Sequence, residues 1–406
     1  MSAPSRACER VDVLVAGGGV AGLAAAAVFA AEGFRTLCVD PAPPPAPGAD
    51  GADLRTTAFL APSVALLEGC GLWPRLAPQA AALAVMRILD AGGAEPAIRE
   101  SAEFRAAEIG AEAFGWNLPN ALLRREMAAH LARTPNAELR TGAAVTGFTP
   151  RTGEALVQLS DGSRVAARLA VAADGRDSFL REAAGIAHRR WSYGQKAVVC
   201  SLAHALPHDG VSIEIHRSGG PFTFAPLPDA QGAHRSGLVW MEAGPRAAEL
   251  AAMPAPEFEL EAMRRSCGVL GDLRLIGPRA LWPIIGQAAA RLDGPRLALA
   301  AEAAHVVPPI GAQGLNMSLA DIAALARIAV AARDAGEDFG GPEALARYDR
   351  DRRPEMLARI AGVDLLDRAS IAGWPALQDA RLAGLRALHG VGPLRRAAMR
   401  LGLGAR

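Results

Sequence analysis

The chain has 406 residues, 51 % of them hydrophobic and 21 % charged, with a formal net charge of +1. This length accommodates two domains or one large domain with a second lobe, and the near-zero charge argues against a nucleic-acid partner. Cys8, Cys38, Cys70, Cys200 and Cys267 are scattered without CxxC spacing, which indicates neither a metal site nor a disulfide framework and fits a reducing compartment.

In chain order, residues 11–16 (VDVLVA) predict a buried parallel strand, Leu23 to Ala31 a tightly packed helix, and Phe34 to Asp40 a second strand. Together they make a βαβ unit. The stretch 11–31 has the apolar, small-residue look of a secretory leader, but three adjacent glycines and the polar restart at Glu32-Gly33 favour strand, turn and helix. Residues 41–49 (PAPPPAPGA) predict a surface loop. A short helix over Ser63 to Glu68 is stopped by Gly69-Cys70-Gly71, and residues 121–133 form a helix with Leu122, Leu123, Met127 and Leu131 on its apolar face. Residues 154–174 alternate about Asp161-Gly162, a hairpin signal, and the second strand of that hairpin runs into VAADG. Residues 196–242 carry short strand-like runs with Gly and Pro breaks, as in an antiparallel sheet of another lobe. From Gly314 onward the chain reads as almost wholly helical. No run of about 18 or more residues is apolar without glycine breaks, so no membrane span is expected.

Two segments carry chemistry. Gly17, Gly19 and Gly22, with Val20 and Ala21 between them, form GxGxxG after a strand and at the opening of a helix. The first glycine permits the tight turn, the second lets a pyrophosphate approach the backbone, and the third lets helix and strand pack closely. Helix N-terminal amides then hold the phosphates. Asp40 ends the second strand, where an acid binds an adenosine ribose hydroxyl. The other segment, Leu297 to Asp321 (LALAAEAAHVVPPIGAQGLNMSLAD), again goes strand, acid, loop and helix. The acid at the end of its strand is Glu302, expected to be a buried carboxylate, where lacking a partner would be too costly. The helix expected from about Gly314 presents free N–H groups and a positive dipole end.

With Ala173-Asp174-Gly175-Arg176-Asp177-Ser178 between them, these segments resemble the three fingerprints of the FAD-dependent aromatic hydroxylases of the p-hydroxybenzoate hydroxylase type. Further matches point to the ubiquinone-biosynthesis branch: Arg55-Thr56-Thr57-Ala58, Asn120-Ala121-Leu122-Leu123-Arg124, Tyr193-Gly194-Gln195, Pro226-Leu227-Pro228, and Tyr348 with Arg352. Ala301-Glu302 departs from the family's usual Gly-Asp.

The resemblance implies an α/β fold: a Rossmann-like FAD-binding domain of the GR2 type from residues 1–60, 111–185 and 281–335, a mainly antiparallel β substrate lobe from 61–110 and 186–280, and a C-terminal helical region over 336–406. It implies FAD, NAD(P)H as electron donor and O2 as co-substrate, with hydroxylation through a C4a-hydroperoxyflavin. The implied substrate is a prenylated phenol of ubiquinone biosynthesis. The implied setting is the bacterial cytoplasm at the inner-membrane surface, in a biosynthetic complex. By the same resemblance Arg55 lies beside the flavin and ribityl chain, Asn120 near the flavin, Val145 against adenine, and Asp174 near FAD and the nicotinamide cofactor. Glu302 would accept a ribityl hydrogen bond, while Gly311, Gly314, Leu315 and Asn316 meet the flavin edge. His305 reads as structural rather than as a base, and Tyr193 and Gln195 as packing residues. No catalytic residue is assigned, because the cofactor carries the chemistry. The alternatives are a hydroxylase of a small soluble aromatic and a non-catalytic FAD-binding accessory protein.

Overall fold

The structure is a computed structural model describing residues 8–46, 53–92, 97–217, 219–371 and 375–403; residues 47–49 of the expected proline loop lie outside them. Its first strand, Glu9–Ala16, runs parallel to Thr36–Asp40 on one side and to Arg164–Ala172 on the other. Valine and leucine fill these strands because both faces are buried in the larger core, which leaves Val13, Leu14 and Val15 with no exposed surface. The helix Val20–Ala31 between the first two strands is made almost wholly of small residues and is buried on every side but its ends. Its turn explains the glycines. Gly17 has φ +106, and a Cβ on Gly22 would stand 1.8 Å from the Gly17 carbonyl oxygen. The sheet continues outward through Leu297–Leu299 beyond Arg164–Ala172 and through Ala137–Thr141 beyond Thr36–Asp40. The expected hairpin about Asp161-Gly162 is present, pairing Ala155–Leu159 with Arg164–Ala172.

A second sheet of eight strands forms the lobe. Two long strands, His188–His204 and Leu273–Ala289, lie toward one edge and pair antiparallel. Ala233–Ala243, Pro221–Ala230 and Val211–His216 follow, and then Val85–Asp90, which pairs parallel to Val211–His216. The sheet is therefore antiparallel at every other junction. Segment 61–76 sits with the nucleotide-binding half: the helix Ala61–Gly69 and the turn after it place Val64, Leu67, Leu72, Trp73 and Leu76 in the larger core.

Four helices end the described chain: Gln313–Asp334, Pro342–Ile371, Pro375–Gly390 and Gly392–Leu403. The first is long and apolar enough to cross a bilayer. Here it is a core helix, because Met317, Leu319, Ile322, Leu325 and Ile328 are buried in the larger core and Asp321 at its centre is buried and ion-paired.

Candidate functional site

A cavity of ≈ 590 Å³ runs from the glycine turn, past the start of Gln313–Asp334, to the face of the lobe sheet. At its nucleotide end stand Gly19, Val20, Ala21, Gly22 and Asp40. A Cβ on Gly19 would meet nothing within 4 Å, so the backbone there is open to a ligand. The helix behind it has no side-chain cap, leaving its first N–H groups for an anion. The Asp40 carboxylate accepts from the backbone N–H groups of Gly18 (2.5 Å) and Ala42 (2.8 Å). Arg124 donates from Nε to the Gly18 carbonyl at 3.0 Å and lies 3.8 Å from Asp40. Arg124 was not singled out from the sequence, although it ends the quoted Asn120–Arg124 segment.

The middle of the cavity is a charged network. Asp53 binds Arg55 with both carboxylate oxygens, at 2.9 Å to Nε and 2.8 Å to Nη2, and accepts from Asn120 Nδ2 at 2.9 Å. Thr57 donates to Asn120 Oδ1 at 2.7 Å. Burial alone would raise the Asp53 pKa, but the hydrogen bonds from Arg55 and Asn120 hold it below the usual carboxylate range. Arg55 also lies 4.2 Å over the Trp282 ring and 3.8 Å from Glu302. Asp53 had no signal in the sequence beyond its place two residues before Arg55.

Glu302 differs from expectation. Its side chain is 40 % exposed rather than buried, and it stands between Arg55 and Arg176, the latter at 3.4 Å. The reason is backbone geometry: the strand ends at Leu299, and a short turn over Ala301–Ala303 carries the acid out to the cavity wall. Ala301 has φ +57, the left-handed region that favours glycine. Gly311, Gly314 and Leu315 line the cavity beside it, and the helix Gln313–Asp334 starts there with no side-chain cap.

Four expected residues are held away from the cavity wall. Gly17 lies inside the turn, against the Ala173 carbonyl. Val145 begins the strand Val145–Pro150, pairs with Leu159 and packs on the core. Asp174 accepts from the Leu180 N–H at 3.1 Å, and its Oδ1 is buried without a partner; burial raises its pKa, while its neighbours Ala173 and Gly175 do reach the cavity. Asn316 is a staple, accepting from Leu60 N–H (2.9 Å) and donating to the carbonyls of Ala58 (2.8 Å) and Ala312 (2.6 Å). His305 reaches the wall but is buried, with Nε2 2.7 Å from Asp321, which also accepts two hydrogen bonds from Arg352.

The far end is apolar: Leu83, Val85, Met86, Phe114 and Val239, joined by Ser212, Glu214 and Thr223 of the lobe sheet. The sequence reading passed over those three. The alternation in VSIEIH (Val211–His216) could have found the first two, since it puts Ser212 and Glu214 on the face opposite the buried Ile213 and Ile215.

A cavity with one uncapped helix start at its nucleotide end and another along its length, an open glycine backbone and an apolar chamber fits a long flavin dinucleotide and an aromatic substrate. The family described as FAD binding domain matches residues 10–360. Ubiquinone hydroxylase UbiL of Rhodospirillum rubrum is 37% identical over 393 residues, covering 97% of this chain and 89% of that protein. The 3-demethoxyubiquinol 3-hydroxylase of Escherichia coli K12 is 29% identical, over 98% of this chain and 99% of its own. In fold, the crystal structure of p-nitrophenol 4-monooxygenase PnpA from Pseudomonas putida DLL-E4 aligns with a TM-score of 0.79 at 19% identity, covering 98% of this chain and 99% of that one. The chain belongs to the FAD-binding-domain family, in its ubiquinone-hydroxylase branch, and is an FAD-dependent, NAD(P)H-using aromatic-ring monooxygenase.

Proposed function

We propose that the protein hydroxylates the aromatic ring of a prenylated phenol in ubiquinone biosynthesis. The observation that carries this reading is the continuous cavity, in which the glycine cradle and the uncapped start of Gln313–Asp334 open directly onto the apolar chamber of the lobe. Bound FAD supplies the two-electron reduction by NAD(P)H and the activation of O2. Gly19 and the helix start behind it hold the phosphates. The Gln313–Asp334 helix start would offer its free N–H groups and positive dipole end to a flavin ring bound in the cavity. Asp53 orients Arg55 and Asn120, and Leu83, Val85, Met86 and Phe114 keep water from the reacting carbon.

A prenyl tail dissolves in lipid, so this reading places substrate capture at the inner-membrane surface, with the other enzymes of the pathway at hand. The last helix supports this contact, since it exposes Leu394 and Leu401 together with Arg400.

Quinone-intermediate profiling in a host lacking the gene tests the proposal. An under-hydroxylated prenylphenol should accumulate, with poor respiration. Normal ubiquinone with impaired use of a soluble aromatic would redirect the assignment to that substrate. NADPH oxidation unaffected by any phenol would indicate an accessory flavoprotein.

A further inference from the structure

The strand Val211–His216 turns Val211, Ile213 and Ile215 into the lobe core and Ser212, Glu214 and His216 to the other face. On that face Ser212 and Glu214, with Thr223 and Ala225 of the adjoining strand, line the apolar end of the cavity. Glu214 Oε1 lies 2.7 Å from His216 Nε2, and both side chains are 13 % exposed. Among the described residues His216 is the sole hydrogen-bond partner of this carboxylate, and the buried Nδ1 of His216 has none. Among the described residues, no lysine or arginine of the lobe lines the cavity. The two arginines at its nucleotide end and middle are committed: Arg55 to Asp53 and Glu302, and Arg124 to Gly18 and Asp40.

We propose that Glu214, held by His216, accepts a hydrogen bond from the ring hydroxyl of the substrate and makes the cavity selective for neutral phenols over carboxylated ones. This inference rests on the function proposed above. A phenolic O–H gives Glu214 a charge-assisted bond in a mostly apolar chamber, where such bonds are strongest. That bond turns the hydroxyl toward the lobe sheet and raises electron density at the ring carbons ortho and para to it, which an electrophilic oxygen attacks. A ring carboxylate in the same chamber meets the Glu214 charge with no cation left to receive it.

The test titrates FAD-loaded protein with 2-prenylphenol and with 3-prenyl-4-hydroxybenzoate, following the flavin absorbance. The parent should bind the phenol at least about tenfold more tightly than the acid. Glu214→Gln keeps the shape and loses the charge. It should weaken the phenol about tenfold and bring the two ligands level, with FAD occupancy and unfolding midpoint unchanged. Glu214→Arg should invert the preference. A parental phenol-to-acid ratio in Glu214→Gln overturns the role of Glu214 and leaves the proposed function standing. Loaded parent protein that binds neither ligand overturns both.

Discussion

Gly19 and Gly22 belong to one turn, yet a methyl group acts differently at each. At Gly22 it would lie 1.8 Å from the Gly17 carbonyl oxygen, so the helix must leave its strand. Gly22→Ala should destabilise the fold by about 3 kcal/mol or more, read as a lowered urea midpoint. At Gly19 the methyl enters open space. Gly19→Ala should therefore stay within about 1 kcal/mol of the parent in stability while weakening FAD in a titration of apo-protein. Glu302 follows the second pattern. Exposed between Arg55 and Arg176, its ion pairs contribute about 1 kcal/mol or less, so Glu302→Ala should hardly move the urea midpoint. FAD affinity should still fall by roughly 1–2 kcal/mol as a hydroxyl acceptor is lost. At Ala301 two effects oppose each other. Its left-handed backbone costs roughly 1–2 kcal/mol for a non-glycine residue, and its buried methyl returns about 0.8 kcal/mol. Ala301→Gly alone should be close to neutral. The glycines of the first turn were legible because the local chain path itself demands them. Asp53, Arg124 and Arg176 were not, because where a long or charged side chain ends depends on strands far away in sequence.

The helices Gln313–Asp334 and Pro342–Ile371 are joined by a buried charge cluster of His305, Asp321 and Arg352. Removing Asp321 deprives the buried Arg352 guanidinium of the single carboxylate oxygen that accepts from both its Nε and its Nη2, so Asp321→Ala should cost about 3–5 kcal/mol. The surface pair between Arg327 and Asp351 on the same two helices should contribute about 1 kcal/mol or less, and urea unfolding of both variants checks the contrast. Asp367, on Pro342–Ile371, is buried with neither oxygen hydrogen-bonded. Burial, then the negative charge of Asp364, pushes its pKa from 3.8 to about 7. The folded state therefore holds a proton that the unfolded chain releases, and stability falls as pH rises from about 4 to about 7. Asp367→Asn should melt with the parent near pH 4 and above it at pH 8. Elements of strong period, such as the first βαβ unit and the hairpin at Asp161-Gly162, were readable from sequence. The exposure of Glu302 was not, because LALAAEAAHV reads as one apolar run whereas a left-handed residue breaks it. The side chain of Asn316 ties the helix start to the strand Thr56–Leu60, a pairing between segments too far apart in sequence to be read locally.

All three sheets of the described residues and many separated chain segments contribute to one cavity, so a ligand that fills it couples parts of the molecule that otherwise share little. FAD at a hundred times its dissociation constant should add about 2.7 kcal/mol to stability. Hydrogen exchange should slow together at the starts of Val20–Ala31 and Gln313–Asp334. The pairings behind that cavity also set a timetable. Glu9–Ala16 pairs with Arg164–Ala172, which pairs with Leu297–Leu299, so the nucleotide sheet has no complete neighbour set until most of the chain has left the ribosome. At roughly 5–20 residues per second, its first apolar strands wait on the order of tens of seconds with their edges bare. For that interval the nascent chain depends on holding chaperones, and a slowed translation rate should appear as aggregation of the newborn protein rather than as any defect in the finished one.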